Sequence, residues 1–237
     1  FIDGKLVAIN GKMIINIPSY IYPDSVKNSV KRNHISEKDL EIRTEDSQKK
    51  VRCIKLIPDQ NLTGKYEPII NAKNGILLPD MNNDILEIAC IERYGRNNNI
   101  GKAYVTGFGL KNGAIAESVA HDTHNLIVVG TNLKDMATAI NAVIDMGGGL
   151  AASQNGRIIS QLRLPVGGLI TDELNGHQVS EKIYEIEKIV SEQLHCIVHS
   201  PFMHLSFLAL STSPEWKITD KGLIDVNNFK VLSPIAE

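Results

Sequence analysis

Gly113-Ala114-Ile115-Ala116-Glu117-Ser118-Val119-Ala120, His121-Asp122-Thr123-His124-Asn125, Leu126-Ile127-Val128-Val129 and Gly130-Thr131-Asn132 follow one another without a break. The stretch reads as strand, polar loop, strand and helix start. Each apolar run has strand length and is bounded by polar residues. Thr131 and Asn132 can each cap the free N–H groups that open a helix. Met136, Ala139, Ile140, Val143 and Ile144 then mark one face at helical spacing. Gly147-Gly148-Gly149 ends that helix, because glycine accepts the left-handed conformation at a helix terminus.

The same pattern extends in both directions. Upstream, Ile85–Ile91 is a mostly apolar run that fits a strand buried on both faces, with a helix the alternative its length also admits. Val51–Ile57 alternates and stops at Pro58, Lys102–Val105 reads as a strand, and Tyr66–Asn71 with Gly75–Leu78 reads as a pair. Downstream, Asn155-Gly156 joins Leu150–Gln154 to Arg157–Leu164 as a hairpin. A second helix covers roughly His177–Leu194, with Val179, Ile183, Ile186, Val190 and Leu194 as its buried stripe. Near the start, Asn10-Gly11 turns Leu6, Val7 and Ile9 onto Met13, Ile14, Ile15 and Ile17. Residues 24–50 mix lysine and arginine with Glu37, Asp39, Glu41, Glu45 and Asp46 and read as a solvated connection with one short helix. Many strands with two long helices predict a layered α/β or α+β domain built on a mixed sheet. The expected division is a strand pair at 1–20, a linker at 21–49 and the domain at 50–237.

A chain of 237 residues, 43% hydrophobic and 22% charged, can bury a substantial core. Its net charge of −2 provides no global field for nucleic acid or an anionic membrane. No apolar run reaches the ~18 residues of a membrane helix, and Phe1-Ile2-Asp3-Gly4 lacks the marks of a signal peptide. Cys53, Cys90 and Cys196 form no C-x-x-C pair, and their odd number fits a reducing, cytoplasmic setting. The opening on a strand-like pattern without methionine fits the carboxy-terminal part of a larger hydrolase.

Chemistry concentrates in Ser118–Asn125. His121 and His124 can converge if the backbone turns between them, Asp122 can orient one ring or accept a proton, and Asn125 both donates and accepts. Most loops with two histidines are structural, so the pattern alone has low specificity. A metal site needs about three or four ligands, and no H-x-H or H-E-x-x-H pattern occurs, so no metal ligand is assigned. Ser118 lies outside any G-x-S-x-G elbow and reads as a hydroxyl facing a core or a ligand. Gly95, Gly101, Gly107 and Gly109 match no phosphate-loop spacing. Glu92, at a strand end, can reach a cleft, with a surface ion pair to Arg93 as the alternative.

A family resemblance rests on several ordered motifs. They are Gly107-Phe108-Gly109-Leu110-Lys111-Asn112-Gly113, Ser118-Val119-Ala120-His121-Asp122-Thr123-His124-Asn125 and Val128-Val129-Gly130-Thr131-Asn132. Further along come Met146-Gly147-Gly148-Gly149, Leu164-Pro165-Val166-Gly167-Gly168-Leu169, Pro201-Phe202-Met203 and Thr219-Asp220-Lys221-Gly222. From about Lys50 onward this resembles the carboxy-terminal domain of bacterial-type adenine deaminases, of the amidohydrolase superfamily. Phe1–Ala8 with Asn10-Gly11-Lys12 is similar to strands that follow the barrel of such enzymes, within a small β-sandwich. Tyr94 and His204 stand where the family pattern has histidine and threonine.

The resemblance implies hydrolytic deamination of adenine to hypoxanthine and ammonia in the complete protein. It implies a divalent metal, manganese or iron, held by an upstream barrel, with no metal in this chain, and a homo-oligomer. It makes His121, Asp122 and His124 catalytic candidates, and Ser118, His121, His124, Asn125 and Glu92 adenine-binding candidates. The other readings are a structural or oligomerisation domain, and an independent nucleobase-binding module.

Overall fold

The computed structural model describes all residues except Ile17, Ser19 and Glu237. The first turn is the Asn10-Gly11 hairpin between β1 (Ala8–Ile9) and β2 (Lys12–Met13). Both turn residues have positive φ, 49° and 74°, as a two-residue hairpin turn that matches strand twist requires. Ile17, expected at the end of this hairpin, lies outside the described residues.

The segment expected to be a solvated linker needs correction. It contains α1 (Asp24–Lys27), α2 (Glu37–Leu40) and β3 (Gln48–Lys50), and it buries Ile35, Leu40 and Ile42. These three apolar residues are too sparse among charges to show a period, and tertiary contact buries them.

The main sheet has eight strands. They are β4 (Cys53–Leu56), β5 (Thr63–Tyr66), β8 (Leu86–Ile91), β9 (Ile100–Thr106), β10 (Ala114–Glu117), β11 (Leu126–Gly130), β12 (Gly149–Gln154) and β13 (Arg157–Arg163). The strands β6 (Ile69–Lys73) and β7 (Ile76–Leu77) join β3 in a small separate sheet. Across the main sheet the order is β13-β12-β10-β11-β8-β9-β4-β5. Every pairing is antiparallel except β4 with β9, so the sheet is mixed, as expected.

Both faces of the sheet are covered. On one side lies α3 (Leu133–Asp145), where Met136, Ala139, Ile140 and Val143 meet Ala89, Ile91, Ala114, Ala116 and Val128. On the other lie α4 (Gly176–Leu194) and α5 (Pro201–Leu208), which pack on Ile88, Cys90, Ile115, Ile127 and Val129. The odd and even positions of β8 therefore serve different layers, which is why its sequence reads as one apolar run. A further three-stranded sheet, β14 (Trp216–Thr219), β15 (Gly222–Asp225) and β16 (Lys230–Leu232), adds Trp216, Ile218 and Leu223 to the α4–α5 side.

The two long helices fall where their periods predict. Asn132 caps α3: its Oδ1 accepts from the Asp135 N–H at 2.8 Å, and its Nδ2 donates to the Asp135 carboxylate at 2.8 Å. Asn175 caps α4 in the same way, exchanging hydrogen bonds with Gln178. The shorter helix α5 is invisible to periodicity because Phe202, His204, Leu205, Ser206 and Leu208 bury it nearly all round.

Lys217 is an unusual tie. Its side chain is fully buried between the second layer and the 57–62 turn, and its Nζ donates to the carbonyls of Asn61 (2.5 Å) and Phe207 (3.1 Å). Burial pushes the ammonium down to about 8.

Two outcomes follow from these contacts. Asn132→Ala lowers unfolding stability by about 1 kcal/mol, read from the urea midpoint, and an unchanged midpoint would show the cap contributes nothing. Between Lys217's folded pKa and the ordinary lysine range, the unfolded chain binds the proton and the folded chain does not, so stability gains with rising pH. Thermal melts at about pH 7.5 and 9.5 should show this gain in the parent and its loss in Lys217→Met.

Candidate functional site

The site is built where three connections meet at one end of the sheet. β10 and β11 pair from Ala114↔Gly130 to Glu117↔Ile127, so residues 118–125 emerge beyond Glu117. β11 also pairs with β8, with Leu126 opposite Ile91, which places the turn at 92–99 beside the same end. Tyr94 Oη donates to the Thr123 carbonyl at 2.5 Å and ties the two connections together. The β14–β15 turn supplies Asp220, whose carboxylate accepts from Asn125 Nδ2 (3.3 Å) and Asn99 Nδ2 (3.2 Å).

These connections enclose a polar cleft of about 450 Å³ lined by Glu92, Tyr94, Arg96, Thr123, Asn125 and Asp220, among others. Two sequence candidates, Glu92 and Asn125, thus share one cavity. The surface ion pair considered for Glu92 and Arg93 is absent. Both side chains are buried, with exposures of 3% and 2%, because β8 runs into the core before the chain turns. Glu92 accepts from the backbone N–H groups of Tyr94 (2.8 Å) and Asn97 (3.4 Å). Arg93 Nη2 donates to the Gly167 carbonyl at 2.7 Å, and its guanidinium lies 4.9 Å from the Tyr94 ring centre.

Within 118–125 the candidates separate. Ser118 is fully buried; its Oγ accepts from the Gly149 N–H (2.8 Å) and donates to the Gly168 carbonyl (2.6 Å). Its hydroxyl is therefore committed to two glycine turns. A Cβ on Gly148 would reach 3.1 Å from that oxygen, and one on Gly168 would run into Arg93, so both glycines are required by close approach.

The histidine rings do converge. His121 and His124 stand edge to face with centroids 5.5 Å apart, and His121 also lies 5.3 Å from the Phe207 ring. The turn that brings them together puts His124 at φ 51°. Burial, then the neighbouring His121 and Arg93, lowers the His124 pKa, against an opposing pull from Asp122. The net effect favours the neutral ring. Asp122 is exposed, and among the described residues it makes no hydrogen bond to either ring.

Three side chains here hold buried polar atoms without a partner among the described residues: His124 Nδ1, Asn125 Oδ1, and Arg93 Nε and Nη1. Such atoms cost free energy unless another molecule or chain segment satisfies them. Among the described residues, no group of three or more His, Cys, Asp or Glu gathers around one point. The described residues thus offer no set of three or four such side chains around one point.

Sequence reasoning missed Arg93, Asp220 and Glu117. Glu117 had a signal: an acid inside a strand otherwise buried on both faces. Asp220 had none, since only tertiary folding brings the 219–222 turn to Asn125. Tyr94 supplies the link to Thr123, and His204 Nε2 accepts from the Asp59 N–H at 3.0 Å.

Residues 60–230 match the family model described as the adenine deaminase C-terminal domain. The chain is 58% identical over 235 residues to "Adenine deaminase 1" of Carboxydothermus hydrogenoformans, covering 99% of this chain and 39% of that protein. It is 50% identical to an adenine deaminase of Desulfatibacillum aliphaticivorans, covering 78% of this chain and 32% of the relative. An adenine deaminase of Methanococcoides burtonii is 41% identical, covering 93% and 38%. The chain thus spans well under half the length of these curated relatives. With the family model covering most of its length, this chain belongs to the adenine deaminase family and contains that family's C-terminal domain.

Proposed function

We propose that this chain is the C-terminal part of an adenine deaminase that hydrolyses adenine to hypoxanthine and ammonia, and that its 118–125 loop lines the adenine pocket. The observation that supports this reading is the set of unused polar atoms on Arg93, His124 and Asn125, of which Asn125 itself lines the polar cleft and the other two adjoin lining residues in sequence. A purine edge carries adjacent donors and acceptors, which can satisfy such groups in a dry site. Neutral His124 offers one donor and one acceptor nitrogen, Asn125 an acceptor oxygen, and Arg93 two N–H donors. His121 is a positioning residue, packed between His124 and Phe207. Ser118 and Glu92 hold the backbone from which these groups project, and Asp122 exerts a minor opposing pull on His124.

In this reading the divalent metal, manganese or iron, belongs to an upstream barrel, and adenine lies between that barrel and the loop. Ile9, Met13 and Ile14 of the β1–β2 hairpin are exposed, which fits a hairpin completed by upstream chain. No described helix is long and apolar enough to cross a membrane, and we place the protein in the cytoplasm as a homo-oligomer.

The test is steady-state kinetics of the full-length protein with adenine. His124→Ala and His121→Ala should each lower kcat/KM by about tenfold or more, equivalent to at least ~1.4 kcal/mol of transition-state stabilisation. Unchanged kcat/KM in both, with lowered melting temperature, would make the loop a packing element and favour the structural or oligomerisation reading. Tyr94→Phe keeps the ring and removes the hydroxyl that donates to the Thr123 carbonyl and accepts from Arg93 Nη2, the shorter Thr123 bond being worth about 1 kcal/mol. KM should rise roughly fivefold with kcat little changed; an unaffected KM would show that the Thr123 tie does not hold the loop for substrate.

A further inference from the structure

The sheet face turned toward α4 and α5 holds a second cavity. It measures about 500 Å³, within the size range of small-molecule sites. Leu150 and Leu162 from the β12–β13 hairpin, Val179 and Ile183 from α4, and Phe202 from α5 form much of its wall. No residue of the 92–97 or 121–125 turns lines it, so it is separate from the polar cleft. No lysine, arginine or histidine is among its lining residues, whereas Glu117 and Glu187 are.

Glu117 is the informative group. It is 1% exposed, and its Oε1 has no hydrogen-bond partner among the described residues. Burial holds its carboxyl well above the usual range, against a smaller downward pull from the Ser206 backbone N–H. Burial disfavours the charged form, and in its neutral form a carboxyl presents an O–H donor beside an acceptor oxygen. Its complement is a planar edge with a donor next to an acceptor, as in the amidine or amide edge of a nitrogen heterocycle. An anionic ligand would meet two acids and no base. A purely aliphatic ligand would leave Oε1 unpaired in a dry site, which costs about 1–3 kcal/mol.

We propose that this cavity is a second binding site, taking an uncharged purine-type base whose donor–acceptor edge pairs with the Glu117 carboxyl. Leu150, Leu162, Val179 and Ile183 enclose its rings. The choice of a purine among planar nitrogen heterocycles rests on the proposed function. The cavity and its hydrogen-bond requirement do not.

The experiment is amide hydrogen exchange on the full-length protein with and without saturating hypoxanthine, which hydrolysis of adenine yields and which is not consumed. Exchange across Leu169–Leu174 and the first turns of α4 should slow at least ~3-fold in the parent, the protection expected of a bound ligand. Glu117→Gln keeps a donor beside an acceptor and should show the same slowing. Glu117→Leu should lose it. Ile183→Trp, which fills the cavity from α4 without altering the carboxyl, should lose it too and decides the matter if Glu117→Leu does not fold. Absence of slowing in the parent, slowing confined to the 92–97 and 118–125 turns, or slowing that survives in Ile183→Trp would each overturn the proposal. Unaffected kinetics in the His121 and His124 variants would sink the loop reading and leave this exchange result standing, so the two fail separately.

Discussion

Burial of the central strands on both faces constrains everything else in this molecule. β8, β10 and β11 each exchange backbone hydrogen bonds with neighbours on both edges, while α3 closes one face and α4 with α5 the other. No side chain of these strands can reach water except at a strand end. Polar chemistry is thereby pushed to the connections, and antiparallel pairing sends the 92–99 and 118–125 connections out at the same end. The Tyr94–Thr123 hydrogen bond and the two amide contacts to Asp220 then convert three neighbouring turns into one cleft.

Several ionisable side chains break the rule of an apolar interior, and Lys217, Glu117 and Glu87 are each handled differently. Lys217 spends its protons on two backbone carbonyls. Glu117 and Glu87 are fully buried, and desolvation holds both acids well above the ordinary carboxylate range. Glu87 faces the α3 side, where Lys102 is the nearest opposing charge, and both its oxygens lack partners among the described residues. Glu117 instead borders a cavity. The same chemical group is a costly inclusion in one place and a recognition element in the other, and the space in front of it makes the difference.

The relation to longer relatives gives the polar cleft its meaning. Buried donors and acceptors on Arg93, His124 and Asn125 are left unmatched within the described chain, at an edge built of connections. Ser118 illustrates how rigidly that edge is held, since its hydroxyl joins Gly149 to Gly168. Groups held this firmly are suited to matching a rigid heterocycle, because little conformational entropy remains to be lost on binding.

The sequence by itself determined the local elements: the Asn-Gly hairpins, the helix start at Thr131-Asn132, the apolar stripe of the second helix, the apolar run at 85–91 and the family motifs. Each of these depends on residues close in the chain, so spacing and turn chemistry suffice to read it. The same reading recognised the 118–125 loop as the chemically dense segment. Only the tertiary structure decided which of its groups are free. It committed Ser118 to backbone, brought Asp220 to Asn125 across 95 residues of chain, and set Tyr94 against Thr123. It also buried Ile35, Leu40 and Ile42 from a segment that reads as solvated, and formed α5 from a stretch with no polar face. Such outcomes depend on contacts between residues distant in sequence, and neither period nor spacing carries information about those contacts.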